Sequence, residues 1–449
     1  MEQQMTEQKI EQKAVSPHGK EWILSAIIVG MAYFYLSVIR YPTELARWIW
    51  WPAQLNTEYV RVGLSWMLFA AMFLTVGLWY AVACGRIVGK TWKERIPKHS
   101  WVYFGLTVAA GVWCPFYMKG DQDIGIYVVL FLHGTAVYWL MTVTGSRSGT
   151  ELDERGIKDL AKGFFVLPIA GYVRIFYEWA NLATCVLEKK FQKNSRVWQI
   201  VLGVLISVPI LCITIPILRG ADQYFDVAAG TLLSGVFDFM ARMDLGSALS
   251  TGLWTLILAC YFYGLFYKAN YSAAPVERAR KQAPQIVLGG FLVPILALYL
   301  VFFVVRSLGV AGAMEQIAEG ELWISTYARE GFFELCRIAA VNFVIFTVVR
   351  WYSPQAGKGM RGLISVLGVE TMAFVMLAFS KMWYYIQSYH SFTFKRAMCC
   401  WLLLTLLVTF GLMTAELWQK KVKGVKWGVL FGSVTFLMMA YSNMPVWAP

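Results

Sequence analysis

Five ionisable residues interrupt apolar stretches in the C-terminal half of the chain. Glu334 and Arg337 fall in one run, Glu370 and Lys381 in the next, and Glu416 in a third. A charge at the centre of a bilayer costs about 2.5–3.5 kcal/mol on insertion scales, so such groups face a protein interior or a water-filled cavity. Glu334 and Arg337 stand three residues apart, share a helix face and can pair. Lys381, near the end of the following run, falls at similar depth on an antiparallel neighbour. Asp222 and Arg329 lie just outside their runs, above that level, and Tyr327, Tyr385 and Tyr389 add hydroxyls.

A carboxylate set between a guanidinium and an ammonium suits an ion, a small external ligand or a lipid headgroup. The same set also suits a closed ion-pair network that locks helices together, in which breaking one partner costs about 3–5 kcal/mol. A third use is phosphoryl or glycosyl chemistry on a lipid-linked substrate, with Glu334 or Asp222 as base and Lys381 and Arg329 clamping a phosphate. Glu370 and Glu416, counted toward the cytoplasmic ends of their runs, read as snorkelling or capping groups. His133, in Leu130-Phe-Leu-His-Gly-Thr, reads as a donor to a neighbouring carbonyl, although a lone intramembrane histidine can serve as a base.

Other chemistry is missing. The sequence has no H-E-x-x-H helix, no G-x-S-x-G elbow and no P-loop. The eight cysteines show no C-x-x-C or Cys/His spacing and fall mostly in apolar runs, as small buried hydrophobes do. No catalytic residue, metal or cofactor is expected, and an enzymatic role is disfavoured.

These residues need a membrane scaffold to hold them. Apolar residues make up 58% of the chain and charged residues 15%, well below the roughly 25% charged residues of a soluble domain. Eleven segments approach the length needed to cross about 30 Å of hydrocarbon: 22–39, 62–84, 101–118, 124–144, 197–218, 248–267, 286–305, 331–350, 364–386, 396–417 and 425–443. With the N-terminus inside, the inner connections hold 25 lysines and arginines against 10 outside. The positive-inside rule therefore sets a cytoplasmic N-terminus and an external C-terminus. It also accounts for the net charge of +13 without nucleic acid. The expected fold is an all-α, polytopic transmembrane helical bundle of about 11 spans in the cell membrane.

Within it, residues 1–20 form a polar cytoplasmic tail that lacks a secretory-signal pattern, and 21–150 carry four spans. Residues 151–196 read as helices in the cytoplasmic interface, broken at Pro168, or as a hairpin dipping into the bilayer. Residues 197–449 hold seven spans, with an external interfacial helix near 223–245. Trp48, Trp50 and Trp51 suit an aromatic belt. Pro115, Pro209, Pro216 and Pro294 read as kinks within spans.

Three stretches resemble an uncharacterised bacterial family of multi-span membrane proteins, domain of unknown function four-one-five-three, with its relative four-one-seven-three. They are Pro209 to Phe225 with its Ala-Asp-x-x-Phe ending, Tyr327-Ala-Arg-Glu-Gly-Phe-Phe-Glu-Leu335, and Lys381-Met-Trp-Tyr-Tyr-Ile-Gln-Ser-Tyr389 with Phe392-Thr-Phe-Lys-Arg396. The resemblance covers roughly residues 160–420 and implies a bacterial cell-membrane protein, with no established activity. The expected function is a non-enzymatic, transporter-like or ligand-sensing membrane component with an externally facing polar pocket. Its partners would be the lipid bilayer, a lipid headgroup or small external ligand, and a partner membrane or cytoplasmic protein. The alternatives are a membrane enzyme acting on a lipid-linked or phosphorylated substrate, and a structural scaffold.

Overall fold

The computed structural model describes residues 18–40, 58–84, 96–118, 124–149, 152–153, 155–191, 245–272, 282–318, 324–353, 355–389, 392–419 and 421–442. No strand occurs among them. The helices are α1 (His18–Arg40), α2 (Glu58–Ala83), α3 (Ser100–Tyr117), α4 (Ile124–Thr144), α5 (Gly156–Ala161), α6 (Leu167–Gly171), α7 (Arg174–Phe191), α8 (Leu245–Tyr271), α9 (Gln285–Ala318), α10 (Ile324–Tyr352), α11 (Lys358–Ser388), α12 (Phe394–Trp418) and α13 (Gly424–Tyr441). Ten stretches of described helix are long and apolar enough to cross a membrane. The chain is an all-α, polytopic membrane protein.

Nine of those ten stretches coincide with expected spans. Helix α3 forms where the third span was expected but falls outside the set, because its tryptophans, tyrosines and Pro115 dilute its apolar character. The expected span 197–218, the external helix near 223–245, Pro209, Pro216 and the tryptophan run at 48–51 lie outside the described residues. The tenth stretch is Gly156–Leu182, expected as interfacial helices. It is interrupted, although not at Pro168. That proline occupies the first turn of α6, where a missing N–H is tolerated. The preceding Lys162–Val166 widens into a π-helical turn, and the helix breaks afterwards at Tyr172–Val173.

The chain divides into two compact units. In the first (Met1–Leu45, Thr75–Lys90 and Gly163–Tyr271), α8 packs on α1 and α6, and α7 packs on α1 and α8. Helices α1 and α8 run antiparallel: Arg40 donates to Ser250 Oγ at one end (3.2 Å), and Tyr271 donates to Glu21 at the other (2.8 Å). Gly171 and Gly264 let α6 and α8 touch backbone to backbone, since a Cβ on Gly171 would come within 2.6 Å of the Gly264 Cα.

In the second unit (Ala46–Leu74, Thr91–Lys162 and Ser272–Pro449), α10 to α13 pack as successive antiparallel neighbours, α9 lies on α11, and α13 meets α3. Leu292, Phe346, Ile364, Leu367 and Met413 fill one core; Phe332, Leu335, Phe374, Met382 and Phe410 fill another. Gly424, Gly428 and Gly432 recur every fourth residue of α13, and a Cβ at each would come within 2.6 Å of α12 atoms. This small-residue stripe brings the two helices close without relying on apolar side-chain burial, which lipid does not reward. The opposite kind of surface covers α9, where Leu298, Val301, Val305 and Leu308 are exposed. An apolar face of that extent is suited to acyl chains.

Candidate functional site

The site grows from the ends of α9, α10 and α11 in the second unit. Lys381, on α11, is only 4% exposed. Its aliphatic stem lies across Gly331 of α10, so close that a Cβ there would stand 2.9 Å from Cδ and 3.0 Å from Nζ. One turn further along α10, Glu334 forms an ion pair with Arg306 of α9. Arg306 acts on Lys381 as a like charge and also lies over the Phe302 ring (5.7 Å). Toward the end of α11, Tyr385 and Tyr389 meet edge to face with centroids 5.0 Å apart. The guanidinium of Arg396, from the first turn of α12, covers Tyr385 at 4.1 Å and Tyr389 at 5.4 Å.

Lys381, Glu334, Tyr385 and Tyr389 thus occupy one end of the α9–α12 group. The expected Glu334–Arg337 pair is replaced. Arg337 is exposed, and Glu334 turns to Arg306 because α9 presents a guanidinium at that level. Helix α10 includes Tyr327 and Arg329, whose side chains, like Asp222, lie outside the described residues. Sequence reasoning missed Arg306 by assigning it to an external connection, and it left Arg396 at the very edge of its expected span without a role. Helix α9 runs on to Ala318, which carries Arg306 into the helix, and α12 begins at Phe394, which does the same for Arg396. Gly331 gave no signal of its own.

Of the remaining intramembrane groups, Glu416 and His133 have structural partners. Glu416 accepts two hydrogen bonds from Arg350 (2.6 and 3.0 Å) and one from the Gly424 N–H (2.7 Å), so it ties α10 to α12 and caps α13. His133 Nδ1 lies 2.7 Å from the Val129 carbonyl, with the ring between Trp66 and Phe69. Glu370 is more central than expected, because α11 starts at Lys358 and not near 364. Tyr299 of α9 lies close to it, and its Oε2 is buried without a hydrogen-bond partner. Among the described residues no cluster of three or more His, Cys, Asp or Glu side chains could hold a metal ion.

A family model described as Domain of unknown function (DUF4153) matches residues 106–448. The chain belongs to this family. The DUF4153 match begins inside α3 and takes in all of α4, well before the stretch the sequence resemblance covered, and it holds every residue of the cluster. No curated protein and no solved structure matches the chain.

Proposed function

We propose that this DUF4153 protein is a non-enzymatic, transporter-like or ligand-sensing component of a bacterial cell membrane, which holds an anionic group at the end of the bundle bearing Lys381. The observation that supports this most is the placing of buried Lys381 beside the Arg306–Glu334 ion pair, which brings cations from two helices to one end of the group. An anion placed between neighbouring cations is favoured by both. Arg396 and the two tyrosines extend the same surface with a further cation and two hydroxyls. With the N-terminus inside, this end faces outward, within reach of a small external anion or a lipid phosphate. The bilayer itself is the first partner; a second membrane or cytoplasmic protein would carry any signal onward.

Lys381→Met and Glu334→Gln, made separately, test this when folded yield is compared with complementation of a deletion strain. Normal yield with lost complementation supports the site. Lost yield in both, with complementation tracking the surviving protein, would make the cluster a structural lock.

A further inference from the structure

In the second unit, a cavity of about 930 Å³ runs from the level of Cys336 to Asp153, between α3, α4 and α5 on one side and α10, α12 and α13 on the other. Its walls are almost entirely hydrocarbon. The hydroxyls of Thr135 and Thr409, which line it, are turned back onto carbonyls of their own helices, to Phe131 (3.0 Å) and Thr405 (2.7 Å). Leu130 and Val344, also in its lining, are 62% and 58% exposed, so the cavity opens sideways where the spans meet lipid. A site of this size, apolar along its length and open at hydrocarbon depth, fits acyl chains.

One end differs. Asp153 lines the cavity there and is paired with Arg155 at 2.8 Å, with side-chain exposures of 30% for the aspartate and 17% for the arginine. Arg155 is held in place by the Ser148 carbonyl (3.1 Å) and the Trp351 ring (5.3 Å). An accessible carboxylate beside a fixed guanidinium is a zwitterionic mouth. An anionic lipid would meet the Asp153 carboxylate with the wrong sign. A choline headgroup would bring no N–H to donate to it.

We propose that this groove is a lipid site selective for a phospholipid with a primary-amine headgroup. Its ammonium donates to Asp153, its phosphate faces Arg155, and an acyl chain lies in the groove past Gly134. By the charge rule this mouth lies on the cytoplasmic side, so the lipid enters from the inner leaflet.

Gly134 supplies the test. It lines the groove, and a Cβ built on it meets nothing within 4 Å, so Gly134→Phe grows into open space from a helical position that tolerates a side chain. Protein purified in mild detergent is analysed by mass spectrometry for bound lipid, beside the lipid of the membranes it came from. Wild type is expected to carry phosphatidylethanolamine enriched several-fold over those membranes, and Gly134→Phe to lose most of it with unchanged helix content. Asp153→Asn is expected to keep lipid but bind phosphatidylethanolamine and phosphatidylcholine equally from mixed nanodiscs. Bound lipid that mirrors the bulk membrane in wild type would overturn the proposal, as would bound lipid unaffected by Gly134→Phe. A photo-cross-linker at Val344 that captures a peptide of this chain, and no lipid, would overturn it as well.

Discussion

The ammonium-bearing side chain of Lys381 lies across Gly331, in space that any side chain at 331 would fill. That contact explains how a lysine 4% exposed fits between two helices one turn from the Arg306–Glu334 pair. It also makes the position of the charge depend on a residue with no chemistry of its own.

Gly331→Ala should therefore displace Lys381. The Cβ clashes with the far half of a flexible side chain, so the fold survives with a loss of about 1–3 kcal/mol, the usual range for overpacking. Lys381→Ala, which removes every atom the new Cβ would meet, should recover less than full stability in the Gly331→Ala background but more than additivity allows. A double-mutant cycle on thermal midpoints in one detergent measures the coupling, expected at about 0.5 kcal/mol or more. Strict additivity would mean that the two side chains do not compete for this space.

Glu334→Gln and Glu416→Gln should differ in severity. Glu334 and Arg306 are both partly exposed, and such pairs contribute at most about 1 kcal/mol. Glu416 is more buried and serves both Arg350 and the N-terminus of α13; glutamine there keeps one acceptor oxygen but removes the countercharge of Arg350 and sets an NH2 donor against an N–H donor. A loss of about 3–5 kcal/mol is expected there. Folded yield by size-exclusion chromatography should fall sharply for Glu416→Gln and little for Glu334→Gln. Equal yields would contradict this assignment.

Gly428→Leu should separate α13 from α12. A Cβ alone would come within 2.5 Å of the Thr409 hydroxyl, and helix backbones cannot yield as a side-chain tip can. Loss of folded protein is expected, whereas Gly290→Leu, where a Cβ meets nothing within 4 Å, should be tolerated. Comparable yields for the two variants would argue against close α12–α13 packing.

The stretch Gly156–Leu182 is apolar enough to cross, yet each flank keeps company with an end expected in the cytoplasm. Lys162 donates to the Ser146 carbonyl just past α4 (2.7 Å), and Trp179 donates to Ser25 near the start of α1 (3.2 Å). The segment should therefore enter and return. Cysteines placed at Ile157 and Leu182 are expected to react with an impermeant maleimide only from the cytoplasmic side, above the background of the eight native cysteines. Labelling from opposite sides would make the segment a true crossing.

Span positions were legible because twenty-residue apolar runs leave few alternatives in lipid, and nine of them reappear within a few residues of their expected limits. The depth of individual charges was less legible, since it depends on helix ends that hydropathy places poorly. Six extra residues at the start of α11 move Glu370 toward its centre, and the continuation of α9 brings Arg306 inside. The i,i+3 rule offered Arg337 to Glu334, but it says nothing of a third helix bringing a better-placed partner. Gly331 and the α13 glycines act by what they lack, which only the neighbouring atoms reveal. His133 needed no tertiary knowledge, because its acceptor is a carbonyl of its own helix.

The central claim is that the cations around Lys381 are gathered for an anion. Protein in phosphatidylcholine nanodiscs, melted with and without inorganic phosphate, and again with phosphatidylglycerol in the disc, tests it most directly. Wild type should melt higher with one of the two additions, which also tells a soluble anion from a lipid headgroup, and folded Lys381→Met should lose that increment. If neither addition raises the midpoint, or both proteins gain equally, the cluster does not bind an anion and the account is wrong.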